Sequence, residues 1–129
     1  MSTIFSKIVN GEIPCHKIAE TEEFLAFLDV SPCAKGHTLV IPKAEVDYIF
    51  DLDDELYLRL MAFSKKVASY VKQAIPCKRI GISVIGLEVP HAHVHLIPLK
   101  SMADMDFGKK LTLSQEDLTE IAVRIRSVI

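Results

Sequence analysis

Apolar residues recur along the chain at two different spacings, and the change from one to the other lays out its elements. After Asp53-Asp54-Glu55, the residues Leu56, Leu60, Phe63, Val67, Val71 and Ala74 repeat at alternating four- and three-residue steps. This predicts a long amphipathic helix with an acidic start and an end near Pro76. Ser114, with Asp117 three positions on, offers a capping-box start for a second stripe of Leu118, Ile121, Ala122, Ile125 and Val128. Residues 3–9 carry Ile4, Phe5 and Ile8 at one-turn spacing behind a Ser2 or Thr3 cap, and Asn10-Gly11 stops them, which predicts a short N-terminal helix.

Strand-type stretches fill the intervals. His16 to Glu20 and Glu23 to Asp29 predict a hairpin joined at Thr21-Glu22 and closed by Ser31-Pro32. Gly36 opens a third strand, His37-Thr38-Leu39-Val40-Ile41-Pro42, which its proline ends. Arg79 to Gly86 predicts a fourth strand and Glu88 to Pro98 a fifth, paired in a second hairpin, whereas Ser101 to Leu113 has no clean period. Strands in antiparallel pairs, with one long helix inserted, predict an α+β fold with helices on one face of a five-stranded antiparallel sheet. The 129 residues suit one domain, 1–129, without repeat or linker.

Composition removes several function classes. A net charge of -2 argues against a nucleic-acid-binding surface, and no run of about 18 apolar residues offers a membrane span. Cys15, Cys33 and Cys77 are odd in number and widely spaced, which points to reduced thiols and a cytoplasmic protein.

The chemistry concentrates in Glu88-Val89-Pro90-His91-Ala92-His93-Val94-His95-Leu96-Ile97-Pro98, which holds three of the five histidines. On a strand, His91, His93 and His95 share one face and Ala92, Val94 and Leu96 the other, so the imidazoles would line an open surface or a cleft. A histidine-rich sheet face or satisfied core histidines is one reading. A metal site is another, short of a fourth ligand beyond His37 and of a carboxylate beside the motif to orient its imidazoles. Covalent catalysis is the third, because imidazole is largely unprotonated at neutral pH and attacks phosphorus without a separate base.

His91-Ala92-His93-Val94-His95-Leu96-Ile97 resembles the histidine triad motif, His-φ-His-φ-His-φ-φ, of the histidine triad (HIT) family. Three further blocks resemble that family in order: Ile4 to Pro14, Leu25 to Pro32 and Gly36 to Lys43, so the resemblance covers about Thr3 to Leu99, leaving 100–129 as a C-terminal loop and helix. The resemblance implies a homodimer whose sheets join into one, with a purine nucleotide (an AMP or GMP moiety) bound beside each triad and no cofactor. It implies hydrolysis or nucleotidyl transfer at the α-phosphate, with His93 as nucleophile, His95 at the phosphate or leaving group, His91 supporting His93 and His37 completing the cluster. Asp29 matches the ribose-binding carboxylate, Ile4, Phe5, Ile8, Phe27, Leu28 and Val30 match the apolar base slot, and Val89 is placed to offer its N–H to phosphate. A nucleotide-binding regulatory dimer with weak or no catalysis is the alternative.

The chain departs from the family pattern in two places. The run Ser83 to Pro90 is shorter than the glycine-rich loop expected before the triad, with Ile85 and Leu87 where polar donors are expected. Glu88 brings a negative charge towards the phosphate, although strict alternation would turn it away from the triad face. Some bacterial relatives hold a structural zinc through an N-terminal CxxC pair and histidines. Thr3, Ser6 and Glu45 stand at such positions here, so no metal is expected.

Overall fold

The computed structural model describes residues 3–129. Thr3 caps α1 (Ile4–Val9) by accepting the Ser6 N–H, while Ser2, the other cap candidate, lies outside the described residues. Next come β1 (Lys17–Glu20), β2 (Phe24–Leu28) and β3 (Thr38–Pro42), then α2 (Asp54–Ala74), β4 (Arg79–Ser83), β5 (Val94–Leu99) and α3 (Gln115–Arg126). Every neighbouring pair in the sheet is antiparallel and the order is β1-β2-β3-β5-β4, so α2 carries the chain from β3 to the far edge and β5 returns to fill the gap.

The helix boundaries follow the side chains that satisfy their free N–H groups. Asp53 accepts from the Leu56 N–H at 2.7 Å, and Ser114 and Asp117 form both halves of a capping box. On one face of the sheet, Phe24, Ala26, Leu28, Val40, Val94 and Leu96 pack against α2 and α3. On the other, Leu25, Phe27, Leu39 and Ile41 pack against Phe5 of α1. The helices are therefore not all on one face: α1 has too few apolar positions to cover more than one patch, and it covers the patch next to the histidines. Among the described residues, no helix is long and apolar enough to cross a membrane.

Two strand expectations shorten. β4 ends at Ser83, and β5 starts at Val94 instead of running from Glu88. Pro90 has no N–H for a ladder, the His91 N–H turns back to the Val89 carbonyl at 2.8 Å, and the Ala92 N–H is taken by Val46 at 2.7 Å. Thus His91 and His93 lie on the approach to the strand and only His95 lies in it. Nor is the histidine row open to solvent. His91 is 0 % exposed and His93 6 %, because Phe5 stands edge-on to both rings, with centroids 5.9 and 5.0 Å away.

Candidate active site

Hydrogen bonds fix which nitrogen of each imidazole carries the proton. His93 Nδ1 lies 2.7 Å from the His91 carbonyl oxygen. A carbonyl only accepts, so the proton is on Nδ1 and Nε2 keeps its lone pair. A second chain sets His95. The Cys33 N–H donates to His37 Nδ1 at 3.0 Å, so His37 carries its proton on Nε2 and donates to His95 Nδ1 at 2.9 Å. His95 is left with its proton on Nε2. The rings of His93 and His95, 4.9 Å apart by centroid, line one cavity and hold opposite tautomers: one free Nε2 lone pair beside one Nε2–H.

Electrostatics agree with this assignment. Burial, reinforced by the neighbouring histidines and Lys110, lowers the His37 pKa to about 3. Burial and then His93 lower that of His95 to about 4. Both are neutral imidazoles near pH 7. The contact of His37 Nε2 with Asp29 Oδ2 at 3.7 Å is accordingly not an ion pair.

His91 reaches His93 through its main-chain carbonyl, while its own ring is engaged elsewhere. Its Nε2–H donates to the Pro42 carbonyl at 2.8 Å and its Nδ1 accepts from the Thr3 hydroxyl at 2.9 Å. Thr3 N–H and the Ser6 hydroxyl both donate to Glu45. The three residues standing at zinc-ligand positions therefore converge on His91 as a hydrogen-bonded cluster, in which two hydroxyls stand in place of thiolates and one carboxylate in place of an imidazole.

The cavity has a volume of about 420 Å³, in the range of small-molecule sites. Ile4, Phe5, Ile8, Phe27, Leu28, Asp29, Val30 and Val89 all line it, with Phe5 and Phe27 edge to face at 5.6 Å. Of the four histidines only His93 and His95 do; His37 and His91 stand behind them. Asp29 accepts the Ser31 N–H on Oδ1 at 2.8 Å, and burial raises its pKa. Glu88 also lines the cavity, since residues 84–93 are not strand and alternation does not govern them. Two further lining residues, Phe107 and Lys110, come from the aperiodic stretch after β5. One aromatic and one of two adjacent lysines in an aperiodic segment carry no periodic signal, so sequence reasoning missed both.

Asp29, His37 and His95 place one potential metal-ligand atom each within 4.8 Å of one another. They do not fit an ion well: the lone pair of His95 Nδ1 is spent on the proton of His37 Nε2, so neither nitrogen is free.

A family model for the HIT domain matches residues 10–102. The chain belongs to the HIT family. It is 36% identical over 131 residues to a HIT-like protein of Borreliella burgdorferi, covering 95% of this chain and 94% of that one. It is 42% identical over 103 residues to an adenosine 5'-monophosphoramidase of Schizosaccharomyces pombe, covering 76% of this chain and 74% of the relative. A HIT-like protein of Bartonella henselae shares the fold with a TM-score of 0.88 at 31% identity, covering 99% of this chain and 96% of that structure. The HIT fold thus accounts for the five-stranded antiparallel sheet and its three helices.

Proposed function

We propose that this HIT protein hydrolyses or transfers at the α-phosphate of a purine nucleotide conjugate through a nucleotidyl group carried on His93. One observation carries the reading: a free imidazole lone pair at His93 stands beside an imidazole N–H at His95, in a cavity with an apolar aromatic slot and a carboxylate. Phosphoramidase activity in a relative supports a hydrolase of this class.

The base lies between Phe5, Phe27 and Ile8, and Asp29 takes the ribose hydroxyls on the oxygen that Ser31 leaves free. The Val89 N–H, which no protein acceptor takes among the described residues, donates to a phosphate oxygen. His93 Nε2 forms a bond to phosphorus as the bond to the leaving group breaks, and the pair of electrons leaves with that group. His95 Nε2–H donates a hydrogen bond to the phosphoryl or leaving oxygen. Water then attacks phosphorus and releases a proton to solvent, the bond to His93 breaks, and the imidazole recovers its lone pair as the monophosphate forms.

The homodimer forms through the edge strand β4, beside which Ile82 and Leu87 are 51 % and 89 % exposed. Its three unpaired cysteines suit the reducing cytoplasm. Intact-protein mass spectrometry during turnover tests the chemistry: wild type gains one nucleotidyl mass that chases away, and His93→Ala keeps its fold but gains none. Undiminished turnover by His93→Ala overturns the proposal. Tight monophosphate binding without turnover in wild type would leave the regulatory dimer in its place.

A further inference from the structure

A second cavity, of about 320 Å³, lies apart from the one beside His93, and among the described residues none lines both. The segment after β5 contributes to each: Asp104 and Leu111 to the second, Phe107 and Lys110 to the first. The floor of the second cavity is apolar. Ile75, at the end of α2, and Pro98, in β5, are both buried, and the loop that carries Cys33 and Gly36 lies against them. A Cβ on Gly36 would fall 2.9 Å from Ile75 Cγ1 and 3.2 Å from Pro98 Cγ, and its φ of +94° suits glycine alone. Leu111 closes one side, its N–H donating to the Pro32 carbonyl at 2.8 Å.

The rim is basic. Lys35, Lys100 and Arg124 line the same cavity, all three exposed, and each leaves a backbone position that other contacts hold. Lys35 directly precedes Gly36, the Lys100 N–H donates to Asp104 at 2.7 Å, and Arg124 stands on α3 beside the buried Ile125. None of the three side chains has a carboxylate within 4.0 Å among the described residues, Glu120 one turn before Arg124 included. Asp104 is the one acid in the lining, and its Oδ2 already accepts the N–H groups of Lys100 and Ser101, at 2.7 and 3.0 Å. Three cations therefore surround a space whose single carboxylate is committed to the backbone. Like charges so placed repel one another, and an anion between them relieves that repulsion.

We propose that this second cavity binds a small phosphate monoester with an apolar body. Such an ester carries nearly two negative charges at neutral pH and three acceptor oxygens, which match two ammonium groups and one guanidinium fork. A carboxylate brings only half that charge. The organic part of the ester rests on Ile75 and Pro98, in a space at the small end of ligand sites. The site is separate from the chemistry proposed for His93 and does not depend on it.

Phenyl phosphate, followed by NMR of isotope-labelled isoleucine methyl groups, tests the site. Ile75 lines the second cavity, whereas Ile4 and Ile8 line the one beside His93, so the two are read separately in one titration. The Ile75 signal should shift and saturate with a Kd below about 5 mM, the affinity of a ligand of that size. Inorganic phosphate, which lacks the ring, and benzoate, which lacks the second charge, should each need about tenfold or more higher concentration to displace it. Lys35→Ala, Lys100→Ala and Arg124→Ala, all at exposed positions that leave the core intact, should each weaken binding by about fivefold, and Lys100→Arg should stay within about twofold of wild type. An Ile75 signal that phenyl phosphate leaves unmoved overturns the inference, as do shifts confined to Ile4 and Ile8. So does an affinity unchanged in the three alanine variants, or displacement by inorganic phosphate or benzoate at equal concentration.

Discussion

The Thr3 hydroxyl donates to Nδ1 of His91 across 2.9 Å, and the same oxygen accepts the Ser6 N–H that opens α1. One side chain thus caps the helix that walls the cavity and holds the ring of His91, whose main-chain carbonyl orients His93. Thr3→Val removes both bonds and leaves a buried imidazole nitrogen unpaired, so it should destabilise the protein by about 1–3 kcal/mol in urea unfolding. Thr3→Ser should recover most of that loss.

Acid stability follows from the buried histidine pair. Unfolded histidine titrates near 6.5, whereas His37 and His95 titrate at about 3 and about 4 in the folded chain. Below pH 6.5 the unfolded chain binds protons that the folded chain refuses, so this contribution is complete above 6.5 and is lost as pH falls through the folded values. Tm should be level from pH 8 to 7 and should fall from 6.5 towards 4. His95→Gln should flatten part of that slope. A Tm equal at pH 7 and pH 5 would contradict the neutral pair.

Glu88 lines the same cavity as Asp29 and His93, with its carboxylate exposed. Glu88→Gln should tighten AMP binding by about two- to fivefold at low salt, the scale of one exposed charge pair, and the gain should shrink as salt is raised. Equal affinity for both proteins at low ionic strength would show that Glu88 does not face the phosphate.

The edge strand gives a prediction about assembly. Ile82 is half exposed on β4, pairs in register with Leu96, and has no strand beyond it among the described residues. Light scattering should find wild type at twice the chain mass and Ile82→Lys at the chain mass, because a charge on a joined sheet edge loses its solvent.

Chelation offers a further check. Since His37 Nε2 and His95 Nδ1 bond each other, dialysis against EDTA should leave turnover within about twofold of its starting value. A larger loss that zinc restores would require this pair to open.

What could be read from the residues divides by range. The capping of α3 by Ser114 and Asp117, and the stripe of Leu60, Val67 and Val71, rest on contacts within a few positions, and both stand as expected. The histidine spacing also showed which residues gather at one place. The register of β5 was overextended because alternation alone does not show that Pro90 and the Ala92-to-Val46 bond keep the approach out of the ladder. The Thr3, Ser6, Glu45 and His91 cluster joins positions tens of residues apart, and Phe107 and Lys110 belong to a segment whose turns are set by single aspartates. Such placement depends on tertiary packing, which no local pattern encodes.

The bond from Thr3 to His91 spans 88 positions of sequence. On the ribosome α1 emerges early, and its tether arrives only after four strands and the long helix have been made. Until then the Phe5 face of the helix has no imidazoles to rest against. Contacts of such long range form slowly, so the cavity beside His93 and His95 is among the last features of the nascent chain to mature. A chain interrupted before residue 91 would carry an assembled first hairpin and an unanchored amino end, a natural target for chaperones and proteases.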